Sequence, residues 1–266
     1  MNNSGIKAKK HLGQHFLKDQ EAVERISQSL LLAGKSYEKV LEIGPGLGVL
    51  TKSLLQRFGE QLYVVEIDAD MVQYLKKNFP ALNGRLLHQD FLNADLRALF
   101  GQEQFGVTGN FPYNISSQIL FRVLHYRDQI PELTGMFQRE VAKRVASGPG
   151  TRDYGILSVL VQAFYETSYL FTLDENAFSP SPKVKSGVLR MERKATGPLD
   201  CDENFFFRVV KTAFNQRRKT LRNALKIFGE KLDYIETAVL LRRAEQLEVE
   251  DFIDLTKRLQ DTPPSG

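Results

Sequence analysis

Between Lys39 and about Lys194, short apolar runs alternate with helical patterns, and no other feature restricts the fold as strongly. The β-like runs cover residues 40–43, 62–67, 85–88, 105–108 and 133–137, and helical stretches at 50–58, 71–79 and 116–125 lie between them. Strands joined through helices of that length form βαβ units, which build a mostly parallel sheet covered on both faces. A further helical stretch at 156–165 precedes two more strand candidates, 168–173 and 187–192. These extend one sheet edge as a hairpin across a Pro-rich loop. The composition breaks at Ala195-Thr196-Gly197-Pro198, and the chain beyond it reads as helical throughout. Phe214, Leu221, Leu225 and Phe228 recur at helical spacing, while Arg218, Arg222 and Lys226 step by four along another face. A chain of 266 residues has room for both parts: a doubly wound α/β domain over 1–195 and a small all-helical domain over 200–262. Residues 262–266 read as a disordered tail.

No apolar run approaches the length of a membrane span, and no signal-peptide pattern opens the chain. Cys201 is the single cysteine, which excludes an internal disulfide framework or thiolate metal site. His11, His15, His88 and His125 form no ligand set with carboxylates at metal spacing. A metal-free, reduced, cytoplasmic protein is expected. The net charge is only +4, but its distribution is uneven. Lys7, Lys9, Lys10 and Lys18 precede the first acid, Asp19. From Arg208 to Lys226 the chain holds Arg208, Lys211, Arg217, Arg218, Lys219, Arg222 and Lys226 with no acid at all. On charge alone, such a run reads as a solvated helix face.

The polar residues at the strand ends say more. Glu42-Ile43-Gly44-Pro45-Gly46-Leu47-Gly48 closes the first strand and opens a helix, and its glycines permit a tight turn and close approach of a ligand to the backbone. Val49 stands where a dinucleotide fingerprint needs its last glycine, so the turn suits a ligand without a pyrophosphate. Glu66 ends the second strand, where a carboxylate can accept from two ribose hydroxyls, and Asp90 ends the third, at the place for an adenine amine. Asn110 ends the fourth and begins Asn110-Phe111-Pro112-Tyr113. That tetrapeptide suits a flat ring bearing an amine. The Asn110 side-chain oxygen and the Phe111 carbonyl offer two acceptors, and Pro112 holds Phe111 extended so that its carbonyl stays free. Tyr113 offers an aromatic face. Each residue alone also fits an ordinary strand end or cap; Glu42 in particular either meets a cationic ligand group or merely finishes its strand.

In this order, the four strand ends resemble the Rossmann-like class I methyltransferases that use S-adenosylmethionine. Asn110-Phe111-Pro112-Tyr113 resembles the N-x-P-Y/F signature of those acting on adenine N6. Segments 10–17, 110–116, 137–141, 178–184 and 214–222 together resemble the rRNA adenine N6-dimethyltransferase family, nearest its bacterial small-subunit (16S) branch. The resemblance implies S-adenosylmethionine as cofactor, held by His15, Leu17, Glu42, Gly44, Gly46, Glu66, Asp90 and Asn110. The family often carries Asn where His15 stands, so a contact through the backbone would survive that difference. Catalysis falls to Asn110, Phe111, Pro112, Tyr113 and Phe178, the last either covering a flipped adenine opposite Tyr113 or anchoring the core. Lys9, Lys10, Arg217, Arg218, Lys219, Arg222 and Lys226 are the expected RNA contacts. The implied reaction is N6,N6-dimethylation of two adjacent adenosines in the 3′-terminal hairpin of 16S rRNA, by a monomer acting on a pre-30S particle. Three alternatives remain: a large-subunit enzyme of the macrolide-resistance type, an assembly factor whose methylation is incidental, and a dinucleotide-dependent dehydrogenase, which Val49 disfavours.

Overall fold

The structure, a computed structural model, describes residues 8–31, 37–195 and 197–261. Lys7 and the tail at 262–266 lie outside the described residues. The first elements are β1 (Phe16–Leu17), α1 (Gln20–Gln28), β2 (Lys39–Ile43), α2 (Val49–Phe58), β3 (Leu62–Glu66) and α3 (Ala69–Asn78). Next come β4 (Leu86–His88), α4 (Leu96–Phe100), β5 (Phe105–Asn110), α5 (Ser116–His125), β6 (Glu132–Gln138) and α6 (Arg139–Ala146). The chain continues through α7 (Ile156–Gln162), β7 (Tyr165–Leu173), β8 (Phe178–Ser179) and β9 (Ser186–Arg193). It finishes with α8 (Glu203–Asn215), α9 (Leu221–Ala224), α10 (Thr237–Leu240) and α11 (Val249–Asp261). No helix among the described residues is long and apolar enough to cross a membrane.

The main sheet has seven strands in the order β4-β3-β2-β5-β6-β9-β7. β2 pairs in parallel with both β3 and β5, β3 with β4, and β5 with β6, while β9 runs antiparallel to β6. The chain therefore starts in the middle and winds outward first to one side and then to the other. Its switch point lies between β2 and β5, where a doubly wound sheet opens a crevice beyond the carboxyl ends of its strands. Burial follows from this layering. β5 and β6 are buried almost without interruption, as central strands covered on both faces must be, whereas β7, buried only at its two ends, alternates exposed and half-buried positions as an edge strand does. The predicted edge pair is present as β9 and β7, but the stretch predicted helical through residue 165 stops at Gln162.

The chain forms two compact units. One comprises Met1–Ala142 with Thr167–Arg193, and the other Lys143–Glu166 with Lys194–Gly266. The second unit thus takes in a segment that strand–helix alternation alone groups with the sheet. Aromatic packing explains it: Tyr154 is fully buried edge-on to Phe214, which stacks on Phe252 at 5.8 Å. The Gly150 N–H donates to the Glu245 carbonyl at 2.7 Å, tying the same segment to the C-terminal helices. Nor is this region helical throughout. α8 ends at Asn215, and a turn comes next in which Leu221 N–H donates to the Arg242 carbonyl at 2.8 Å. Beyond α9 the chain kinks at Gly229. Arg218, Arg222 and Lys226 therefore do not lie along one helix face, because Arg218 sits in the turn between α8 and α9.

Candidate active site

The crevice at the switch point is lined by residues 12–17, by the turn after β2, and by the ends of β3, β4 and β5. Gly44, Gly46 and Gly48 adopt φ of +67°, +55° and +76°, so the turn needs glycine at each. A Cβ on Gly48 would also lie 2.4 Å from the Phe79 ring. Glu66 ends β3 at 5% exposure, and its carboxylate accepts from Asp68 N–H at 2.9 Å and Gly46 N–H at 3.3 Å. Asp90 lines the crevice beyond β4 while accepting from Leu92 N–H at 2.9 Å and Asn93 Nδ2 at 2.6 Å. Each carboxylate oxygen has two lone pairs, so these bonds orient both groups without exhausting them. Glu42 is 1% exposed, and its Oε2 has no hydrogen-bond partner among the described residues. Burial pushes its carboxyl up to about 8, and the nearby charge of Glu66 adds to the rise. A buried carboxyl with an unmet acceptor at a crevice wall has the chemistry to meet a cation.

Asn110 stands at the end of β5, and its Nδ2 donates to the His15 carbonyl at 2.7 Å. Only the amide nitrogen can donate to a carbonyl, so this bond fixes the side chain and leaves Oδ1 as an acceptor. Phe111 is buried and packs against Phe137 at 4.7 Å. No described residue donates to the Phe111 carbonyl. Two glycines make that burial possible: a Cβ on Gly135 would lie 2.4 Å from the Phe111 ring, and one on Gly109 3.0 Å from it. The Tyr113 hydroxyl lies 2.5 Å from Ser186 Oγ, and its ring stacks on His15 at 5.5 Å and 28°. Burial raises the Tyr113 phenol above its ordinary value, so it stays neutral at physiological pH.

Phe178 requires a correction to the covering role. It is 1% exposed in the hydrophobic core with Leu50, Leu54, Met136 and Val188, and it does not line the crevice. Register explains this, because β1 pairs antiparallel with β8 so that Leu17 faces Phe178 and Phe16 faces Ser179. Alternation then turns Leu17 and Phe178 into the core and leaves Phe16 beside Gly46, whose Cβ would lie 3.1 Å from the Phe16 ring. The aromatic partner of Tyr113 is His15, whose Nδ1 lies 2.8 Å from the Pro180 carbonyl.

Lys9 also departs from its expected role, since its ammonium is 2.6 Å from both Asp68 Oδ1 and Asp70 Oδ2. The side chain of Lys10 lies outside the described residues. Arg217 donates to the Thr151 carbonyl at 3.0 Å and so is partly committed within its own unit. Arg218, Lys219, Arg222 and Lys226 are exposed. The sequence alone assigned no role to Asp68, Gly109, Gly135 or Ser186, and none to Phe16 beyond its place in the 10–17 segment. The strand-interior glycines carried a usable signal, since glycine there often marks a close approach. Nothing in the sequence pointed to Ser186.

A doubly wound sheet with acidic residues at or just beyond the ends of its first strands, and Asn-Phe-Pro-Tyr beginning on the last residue of β5, defines a class I methyltransferase. Among solved structures, the 23S rRNA methyltransferase ErmE aligns with a TM-score of 0.69 at 25% identity, covering 92% of this chain and all of that one. A dimethyladenosine transferase from Plasmodium falciparum aligns with a TM-score of 0.74 at 24% identity, covering 91% and 96%. The chain belongs to the ribosomal RNA adenine dimethylase family, whose profile matches residues 5–261. Its relatives include the ribosomal RNA small subunit methyltransferase A of Flavobacterium johnsoniae, 54% identical over 96% of this chain and 97% of that one. The protein of that name from Parabacteroides distasonis is 55% identical over 94% and 93%.

Proposed function

We propose that the protein transfers methyl groups from S-adenosylmethionine to N6 of two adjacent adenosines in the 3′-terminal hairpin of 16S rRNA, yielding N6,N6-dimethyladenosine. The orientation of Asn110 carries this reading: its amide is pinned so that Oδ1 and the Phe111 carbonyl are the two acceptors beside an aromatic face. The exocyclic amine of adenine is a weak nucleophile because its lone pair is delocalised into the ring. Two acceptors for its N–H groups favour a pyramidal nitrogen and stabilise positive charge as it develops.

The crevice suits the cofactor. The unpartnered oxygen of Glu42 meets the requirement of an ammonium group, and the left-handed glycines leave room for a ligand against backbone. Glu66 would hold ribose hydroxyls, Asp90 the adenine amine, and Gly44 and Gly46 would pack against the cofactor directly. Leu17 and the backbone of His15 would cover its methionine end. When bound, S-adenosylmethionine supplies an electrophilic methyl group on a sulfonium. Asn110 Oδ1 and the Phe111 carbonyl would hold the target amine beside that methyl group, Pro112 would keep the Phe111 carbonyl free, and Tyr113 would offer a ring face to the base. The proton leaves afterwards to water, so no side-chain base is needed. Catalysis rests on positioning and electrostatics. The exposed Arg218, Lys219, Arg222 and Lys226 would meet RNA phosphates, assisted by Arg217. The substrate would be a pre-30S particle in the cytoplasm, and the enzyme would act as a monomer.

The test supplies labelled cofactor with unmethylated small subunits, large subunits or bare rRNA and digests the product to nucleosides. The expected product is dimethyladenosine in small subunits, with Asn110→Ala reducing turnover by about 10²–10³-fold, the usual loss for one such acceptor or donor. Label confined to large-subunit rRNA would move the assignment to the resistance-type enzymes. An absence of label despite cofactor binding would favour an assembly role.

A further inference from the structure

We infer that Lys9 is a positioning residue that latches the N-terminal arm across the cofactor crevice, its partner being the turn after β3 and not RNA. The inference rests on the proposed function, because it assigns how that same crevice is held closed. Lys9 Nζ reaches Asp68 Oδ1 and Asp70 Oδ2, each at 2.6 Å. Gln14 completes the clasp: its Nε2 donates to Asp68 Oδ2 at 2.9 Å, and its Oε1 accepts from Lys9 N–H at 2.9 Å. Both carboxylate oxygens of Asp68 are thereby met from the arm. Asp68 is 3% exposed, and a buried carboxylate without such partners is costly, so solvent does not readily replace them. Burial alone would raise Asp68, yet the bonds from Lys9 and Gln14 hold it below its ordinary value.

The clasp is connected to the chemistry at both ends. Asp68 N–H donates to Glu66 Oε1 at 2.9 Å, the carboxylate assigned to the ribose. At the other end of the arm, the His15 carbonyl accepts from Asn110 Nδ2 at 2.7 Å. Residues 12–17, which line the crevice, are thus strapped between the ribose carboxylate and the residue that receives the target amine. Releasing Lys9 loosens the arm, speeds cofactor escape and frees the Asn110 amide to rotate. Two of the three donors of this ammonium already face carboxylates, whose charge offsets its own, so it has little left to offer a phosphate.

The experiment compares wild type with Lys9→Met, Lys9→Arg and Asp70→Asn, the last altering an exposed carboxylate. Hydrogen exchange on the cofactor-free protein reads the latch directly: Lys9→Met speeds exchange of the amides between residues 11 and 17, and Lys9→Arg largely restores protection. Stopped-flow release of S-adenosylmethionine then accelerates about tenfold in Lys9→Met, the size expected for one hydrogen bond to a buried charge. Asp70→Asn moves both readouts in the same direction by less. Methylation at saturating cofactor falls through kcat, while RNA affinity and its salt slope stay at wild-type values. Unchanged exchange in Lys9→Met would overturn the latch. So would a loss of RNA affinity, with the salt slope falling by about 0.7 and cofactor release unaltered, since that is the signature of a phosphate contact. A wild-type protein that binds no S-adenosylmethionine would instead overturn the cofactor assignment, and exchange would still decide the latch.

Discussion

At the scale of single residues, Glu42 and Phe178 show how burial decides a role that residue type leaves open. Glu42 has its carboxyl raised to about 8 by burial, so it is mostly protonated at neutral pH in the free protein. A bound ammonium would favour the carboxylate and lower that value. Cofactor uptake near pH 7 should then release a proton, and affinity should rise with pH until about 8, where the free carboxyl ionises unaided. Calorimetry in buffers of different ionisation enthalpy measures the proton directly; no release would remove Glu42 from the cofactor site. Stability has the opposite sign. Between the ordinary carboxylate range and about 8, the unfolded chain ionises at Glu42 while the folded chain keeps the proton, so folding loses stability as pH rises. Glu42→Gln should abolish that loss, raising Tm at pH 7 while weakening cofactor binding. Phe178 should behave as core: Phe178→Ala should cost about 3–5 kcal/mol in urea unfolding, whereas Phe178→Leu should keep most of the methylation rate. A large kcat loss in a stably folded Phe178→Leu would restore a covering role.

At the scale of elements, the ends of parallel strands place the chemistry, and their neighbours hold it there. The Asn110–Tyr113 segment turns away from β5 because Phe111 is drawn beneath the sheet end, and that is possible only beside two glycines on adjacent strands. Gly135→Ala would set a methyl group 2.4 Å from the Phe111 ring and 2.6 Å from the Gly109 carbonyl. Destabilisation of about 1–3 kcal/mol is expected, as for other overpacked sites. Methylation should fall further than stability, because the displaced Phe111 carries Asn110 and Pro112 with it. Gly148→Ala, with nothing within 4 Å of the added methyl, is the matched control and should change neither unfolding nor turnover. Equal behaviour of the two variants would rule out the packing explanation.

At the scale of the whole molecule, the crevice and the basic stretch around Arg218 and Arg222 fall in different compact units. Arg218 and Arg222 are exposed in the second unit, and the crevice belongs wholly to the first. Replacing both with Ala should lower RNA affinity and reduce the salt slope by about 0.7 for each arginine that no longer meets a phosphate, leaving S-adenosylmethionine affinity unchanged. Filter binding over a salt series and cofactor titration measure the two quantities. A parallel fall in both would show that the substitutions disturb the fold instead of RNA binding.

The sequence by itself determined the doubly wound class and the strand ends that matter. Glu42, Glu66, Asp90 and Asn110 could be placed because parallel strands are buried along their length and release the chain to solvent only at their ends. Strand–helix alternation is a local pattern, and local patterns survive without knowledge of distant contacts. Other assignments depended on partners far along the chain. Phe178 became core through pairing with Leu17, Lys9 became a clasp through Asp68, and 143–166 joined the second unit through Tyr154 and Phe214. A charge or an aromatic ring has no fixed role until folding brings its neighbour, and only the tertiary structure supplies that neighbour.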